Sequence, residues 1–228
     1  MSSQYQVQHS GWLIFLSVLT MTLLLAGTVV SNKLVNLEFL LQPASSFIYP
    51  ISFLLFGIIA EVYGYEISKK LIWIIVICGY VFALSVETVL LLPSAEDWQN
   101  GEAFQTVFGY LLRFTTAGTI GILTGLFINC YFIAKTKILI MGRYFWLRSV
   151  GAVVLGEAAH ILINTFFTFL GRMPLENIFL LMANIYLFRV VCVMIFVIPA
   201  QIIVTLLKNK ENIDSYDYDI HFNPFRFQ

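Results

Sequence analysis

The residues of this sequence best suited to chemistry lie on one apolar stretch. Glu157, His160 and Asn164 fall at i, i+3 and i+7, which puts a carboxylate, an imidazole and a carboxamide on one face of a helix. Such a stripe offers donors and acceptors to a small polar ligand. Alternatively it clamps two helices together, with Glu157 paired to Arg113 or Arg189. One clamp does not require three such groups, which favours the ligand. If the stretch crosses a bilayer, an ionised side chain near its middle costs about 2.5–3.5 kcal/mol even on a lenient insertion scale, so each group is expected to face a partner or a cavity. The same holds for Glu61, Glu87, Arg113 and Arg189, with Asn32, Asn129 and Asn184 as neutral polar residues in similar runs.

Other chemistries find less support. Glu157-Ala-Ala-His160 matches the Glu-x-x-His element of di-metal helix bundles, but a metal site needs a second copy, and the other histidines, His9 and His221, stand near the termini. Cys78, Cys130 and Cys192 are too far apart in the sequence for zinc or disulfide spacing and read as small hydrophobes. There is no Walker lysine loop, His-Glu-x-x-His or Gly-x-Ser-x-Gly, so neither an ATPase nor a familiar intramembrane hydrolase is supported. No catalytic residue and no cofactor is assigned.

The elements that must position these residues follow from composition. Of 228 residues, 59% are hydrophobic and 11% charged, with a mean hydropathy of +0.85; soluble domains carry about 25% charge. So few charges cannot build a water-facing surface, and the chain reads as one transmembrane domain over residues 1–228. Thirteen basic and thirteen acidic residues give no net charge, which excludes nucleic acid binding through a basic field. Six stretches approach the roughly 20 apolar residues a spanning helix needs: 12–30, 47–63, 71–92, 104–134, 146–170 and 178–207. The first reads as a retained anchor, the second is short, and the fold class is an all-α polytopic membrane protein with six transmembrane helices. With six spans, nine of the loop cations fall on the side of both termini and only Lys33 and Arg172 on the other, so both termini are expected in the cytoplasm.

Several local features refine this picture. Gly118, Gly121 and Gly125 share a face of the fourth span, where small residues let helices approach closely; a ligand groove is the lesser reading. Arg113, near the outer end of that span, either snorkels or holds an anionic or carbonyl group. Glu61 is badly placed for the dipole of a helix capped by Gly64, which points to a cation such as Lys69 or Lys70, or to a functional role. Pro50 and Pro199 are candidate helix breaks. The tail beyond Lys208, with Asp214, Asp217 and Asp219, reads as a short solvated end.

Ser31-Asn32-Lys33, Tyr49-Pro50, Glu61-Val62-Tyr63-Gly64, Ile72-Trp73, Trp146-Leu147-Arg148-Ser149 and the tail Tyr216-Asp217 with Phe222-Asn223-Pro224-Phe225 resemble the queuosine precursor transporter family, the vitamin uptake group, over nearly the whole chain. The resemblance implies a six-helix fold similar to the S-components of energy-coupling-factor vitamin transporters, an inner-membrane location and uptake of deazaguanine precursors of queuosine. It adds Asn32, Glu61 and Trp146 to the substrate-binding candidates Glu157, His160, Asn164, Arg113 and Arg189. This chain departs from the family's pattern at Gly57, where an Asp is usual, at Glu157 and His160 in place of Gln and Asp, and at Gly118 in place of Ser; if these line the pocket, a different heterocycle is preferred. Glu157 is expected to accept from a guanine-like edge, with His160 and Asn164 beside it and Phe47, Trp146 and Phe166 stacking on the ring. The expected partners are a small-molecule substrate and the bilayer, with a homo-oligomer or an energising module left open. Two rival readings remain: a vitamin-binding subunit that needs a separate ATP-driven module, and an integral membrane enzyme or assembly factor.

Overall fold

The computed structural model describes residues 10–38, 40–218 and 221–226. His9 and Asp219 lie outside the described residues. Helix α1 (Gly11–Val30) leads into a short antiparallel hairpin, β1 (Leu34–Leu37) and β2 (Leu40–Pro43), and a 3-10 turn (Ala44–Phe47). Then come α2 (Tyr49–Tyr63), α3 (Tyr65–Leu90), the short α4 (Gly101–Phe108), α5 (Leu111–Leu139), α6 (Phe145–Phe169) and α7 (Leu175–Glu211). Among the described residues, five stretches are long and apolar enough to cross a membrane: α1, α3, α4 with α5, α6 and α7. Their outward faces carry bare aliphatic side chains such as Ile14, Ile77, Leu162 and Ile198, as lipid contact requires.

The second expected span is the exception, and it organises the rest. At 15 residues α2 is about 22 Å long, short of the ~30 Å hydrocarbon core. All of it but Ile51 is buried, against α1, α5, α6 and α7. It lies inside the bundle, so every chemical group along it meets protein and none meets lipid. Pro50 does not break this helix; it occupies the first turn, where its missing N–H costs nothing. Pro199 likewise sits within a continuous α7.

The glycines of α5 set the closest helix contact. A Cβ on Gly125 would stand 2.7 Å from the Gly156 carbonyl oxygen of α6, and one on Gly121 would stand 2.9 Å from the His160 ring. Only hydrogen fits there, so the small-residue face packs against α6 and presses the His160 backbone onto α5.

Two boundaries differ from expectation, for one reason. No loop carries Lys69 and Lys70: α2 reverses into α3 through Gly64 alone, at φ +90°, and both lysines sit in the first turns of α3. The tail, expected to be solvated, docks onto this reversal. The Asp217 carboxylate accepts from the Tyr65 N–H at 3.1 and 3.2 Å, supplying from 152 residues away the helix cap that Gly64 lacks. Tyr65 donates to the Phe222 carbonyl at 2.9 Å, Trp73 to that of Pro224 at 3.1 Å, and Lys69 to that of Arg226 at 2.6 Å. The exposed polar pattern of the tail hid these long-range partners. One end of the bundle thus collects the start of α1, the α2–α3 reversal, the α5–α6 turn, the end of α7 and the tail. The hairpin and the link from Leu170 to Met173 lie at the other end.

Burial pushes the Asp217 carboxyl up to about 6, with Glu66 and Glu61 adding to the rise and Lys137 and the Tyr65 N–H opposing it. Its pKa is higher when docked than when free, so its contribution to docking is complete below the free value of ~3.9 and is lost as pH rises through about 6. Asp214, held below its ordinary value by Lys137 and Lys208 despite its burial, does the reverse and weakens docking only under stronger acid. Between pH 7.5 and 5 the docked fraction of the tail, read by electron–electron distances between spin labels on the tail and α7, should therefore rise. The Asp217→Asn protein should show no such change.

Candidate functional site

Glu157 and His160 sit one turn apart on α6, and Arg189 reaches them from α7. The Arg189 Nη1 lies 2.6 Å from Glu157 Oε2 and 3.3 Å from His160 Nδ1, and His160 Nδ1 lies 3.2 Å from the same carboxylate oxygen. All three residues are 2% exposed or less. A buried charge pair must recover its desolvation through close geometry and further hydrogen bonds. Here the recovery is incomplete: Glu157 Oε1, His160 Nε2 and Arg189 Nε have no hydrogen-bond partner among the described residues. An acceptor, an imidazole nitrogen and an N–H donor are left over in one buried centre.

Helix α2 walls this centre with aromatics. Phe53 stacks on the His160 ring at 5.5 Å and 28°, while Tyr49 meets it edge-on at 5.3 Å and lies under the Arg189 guanidinium at 4.9 Å. Tyr49 and Phe53 are i and i+4, so one face of α2 supplies both rings. Ser46 lies in the 3-10 turn that leads into this helix, three residues before Tyr49. Ser46 and Gln42 are wholly buried, and the Ser46 hydroxyl and both polar atoms of the Gln42 amide have no partner among the described residues. Phe47 packs on Phe188, next to Arg189, at 5.0 Å, so this turn rests against the part of α7 that carries the arginine. The Glu157, His160 and Arg189 side chains are shut away from the surface, and the void of about 30 Å³ between α1, α3 and α5, bordered by Thr28 and Gly118, is far below ligand size. That is the share of one water in the liquid, whereas ligand pockets run to roughly 300–1,000 Å³. The centre is closed.

A second ion cluster forms at the tail end. Arg148 grips Glu61 with two hydrogen bonds, Nη1 to Oε2 at 2.7 Å and Nη2 to Oε1 at 3.0 Å, and Lys208 reaches Glu61 Oε1 at 2.6 Å. Lys137 donates to the Glu61 carbonyl at 2.6 Å and to Asp214, which Lys208 also meets at 2.9 Å. Glu61 thus holds the ends of α2, α5, α6 and α7 and the tail together. Its partners are not the expected Lys69 or Lys70; Lys69 pairs with Glu66 at 2.8 Å, because α3 begins at Tyr65 and carries its lysines away. Arg148 and Glu157 are nine residues apart on α6, which separates the two clusters by ~13 Å along the helix axis.

The remaining candidates stand elsewhere. Asn164 leans toward the α5 glycines, its Oδ1 accepting from Thr168 at 3.4 Å and lying 3.6 Å from where a Gly118 Cβ would be. The exposed Arg113 donates to the Phe167 and Leu170 carbonyls and caps the end of α6, so it holds carbonyl groups, those of the chain itself. Asn32 donates to the Val107 carbonyl at 3.0 Å. Trp146 is 49% exposed on the outer surface, and Phe47 is 41% exposed. Phe166 packs in the smaller apolar cluster around Ile178. Sequence reasoning missed Phe53, Gln42 and Ser46 and took Tyr49 only as part of a motif. The i, i+4 spacing of Tyr49 and Phe53 was the available signal for the ring wall; Gln42 and Ser46 gave none.

A sequence model of the family described as "Putative vitamin uptake transporter" matches residues 43–204 of the chain. No curated protein and no solved structure matches it.

Proposed function

Because this chain belongs to the vitamin uptake transporter family, we propose that it carries a small planar heterocycle into the cell across the cytoplasmic membrane, with deazaguanine precursors of queuosine as its substrates and both termini in the cytoplasm. One observation carries the reading: in a buried charged centre, Glu157 Oε1 and Arg189 Nε are left over as an acceptor and a donor. A lactam edge complements that pair, its ring N–H donating to Glu157 and its carbonyl accepting from Arg189. His160 Nε2 takes a further polar atom of the ring. Phe53, stacked on the imidazole, stands where a flat ring would stack, and its displacement would open the centre. A closed centre with an aromatic plug suits a carrier that exposes its site to each side in turn.

Direct binding to the purified protein tests this. Labelled 7-cyano-7-deazaguanine should bind saturably and unrelated vitamins should not; a vitamin that competes equally well would overturn the substrate assignment. Uptake by the lone chain in liposomes would exclude the need for an ATP-driven module, whereas copurification with an ATPase pair would favour the energised-subunit reading.

A further inference from the structure

The face of α2 that carries Tyr49 and Phe53 continues at the same four-residue step to Gly57 and Glu61. Tyr49 and Phe53 meet the charged centre, and Glu61 meets the tail-end cluster. Gly57 lies between them, and the polar side chains beside it, Asn129 and Ser149, have no role in either. A Cβ on Gly57 would point at Asn129 Oδ1, 3.7 Å away on α5, and at Ser149 Oγ, 3.8 Å away on α6, with the flexible end of Ile133 at 3.1 Å. Asn129 and Ser149 are both 0% exposed. Neither the Asn129 amide, at either atom, nor the Ser149 hydroxyl has a hydrogen-bond partner among the described residues.

A carboxamide buried without partners costs about 1–3 kcal/mol relative to a bonded one, and leucine of similar volume would avoid that cost. Packing therefore gives no reason for an asparagine here. Without a Gly57 side chain the two polar groups face bare backbone, and because even a Cβ would stand 3.1 Å from Ile133 the place takes a ligand only as the helices part. Beyond it, Lys208 of the tail-end cluster borders a surface cleft of about 240 Å³ with Gln201 and Asn209.

We infer that Asn129 and Ser149, facing Gly57, form a second and neutral binding station for the substrate, on a path along α2 from the Glu157 centre to the tail end. An amide presents a donor and an acceptor side by side, so the station takes an uncharged heterocycle by a lactam or amidine edge. It engages that edge after the substrate leaves the charged centre. The station rests on the transport reading but not on the identity of the heterocycle.

Cysteine labelling separates the two. In a chain with Cys78 and Cys192 replaced by Ala, Asn129→Cys should react in membranes with a charged methanethiosulfonate, because the path must admit water as it opens. Cys130, its fully buried neighbour packed in the apolar core, should stay unreacted. Slowing of the reaction at least 5-fold by 7-cyano-7-deazaguanine supports both station and substrate. Reaction without protection keeps the station and rejects the deazaguanine. No reaction at position 129, or equal reaction at Cys130, overturns the station; if Asn129→Cys does not fold, Ser149→Cys is read in the same way. A separate arm uses Asn129→Leu, which should bind substrate within 3-fold of the parent and transport it at least 10-fold more slowly; unchanged uptake overturns the station.

Discussion

A protein carrying both Glu157→Gln and Arg189→Met should lose affinity for the deazaguanine substrate by at least 100-fold while unfolding within a few degrees of the parent. The pairing of the two changes matters. Glu157→Gln alone leaves the Arg189 cation buried with no carboxylate, and breaking a buried pair from one side costs about 3–5 kcal/mol. Loss of binding would then be confounded with loss of fold. Replacing both members by neutral groups of similar shape is often neutral for stability, because the desolvation cost disappears with the attraction. Binding cannot be rescued in that way. Two hydrogen bonds to charged groups are lost, each worth about 1.5–3 kcal/mol, which together exceed the ~2.7 kcal/mol of a 100-fold change. Isothermal titration and thermal unfolding on the same preparation read both quantities. Arg113→Ala, at an exposed helix end, serves as the control and should bind normally. Retention of affinity within 3-fold in the double variant would remove the Glu157 centre from the site.

The largest loss of stability should come from Glu61→Gln, ahead of Arg148→Met. Charge counting in the tail-end cluster gives the order. Glu61 and Asp214 face Lys137, Arg148 and Lys208, three cations against two anions. Removing Arg148 leaves two of each sign, still in contact. Removing the Glu61 charge leaves three cations against one half-exposed carboxylate, with Arg148 and Lys137 almost fully buried. Breaking a buried pair in this way costs about 3–5 kcal/mol, and for Glu61→Gln that range should be met or exceeded. Arg143→Met, at an exposed neighbour, should stay within ~0.5 kcal/mol. Heat-induced loss of monodisperse protein in detergent gives the ranking. The reverse order would mean that Glu61 is not the hub of the cluster.

The cluster joins four helix ends and the tail at one end of the stripe on α2. The ion network across the converging helix ends holds by many short contacts, and water that enters weakens all of them together.

A polytopic helical membrane fold and the pairing of Glu157 with an arginine were legible in the sequence. Hydropathy is a sum over neighbouring residues, and a bilayer leaves a chain with 11% charge no other solvent. The i, i+3 spacing of Glu157 and His160 survived because helix geometry is local, and Arg189 was one of two arginines available to neutralise the glutamate. Asn164, on the same nominal stripe, accepts from Thr168 and faces Gly118 of α5 instead. Glu61 illustrates the other limit. Its partners Arg148 and Lys208 lie 87 and 147 residues away, and no periodicity relates them. The burial of α2, the capping of α3 by Asp217 and the meeting of Gly57 with Asn129 and Ser149 are of the same kind. Each depends on which helices touch, and that is settled by packing over the whole bundle, where a single glycine or a docked tail outweighs any local preference.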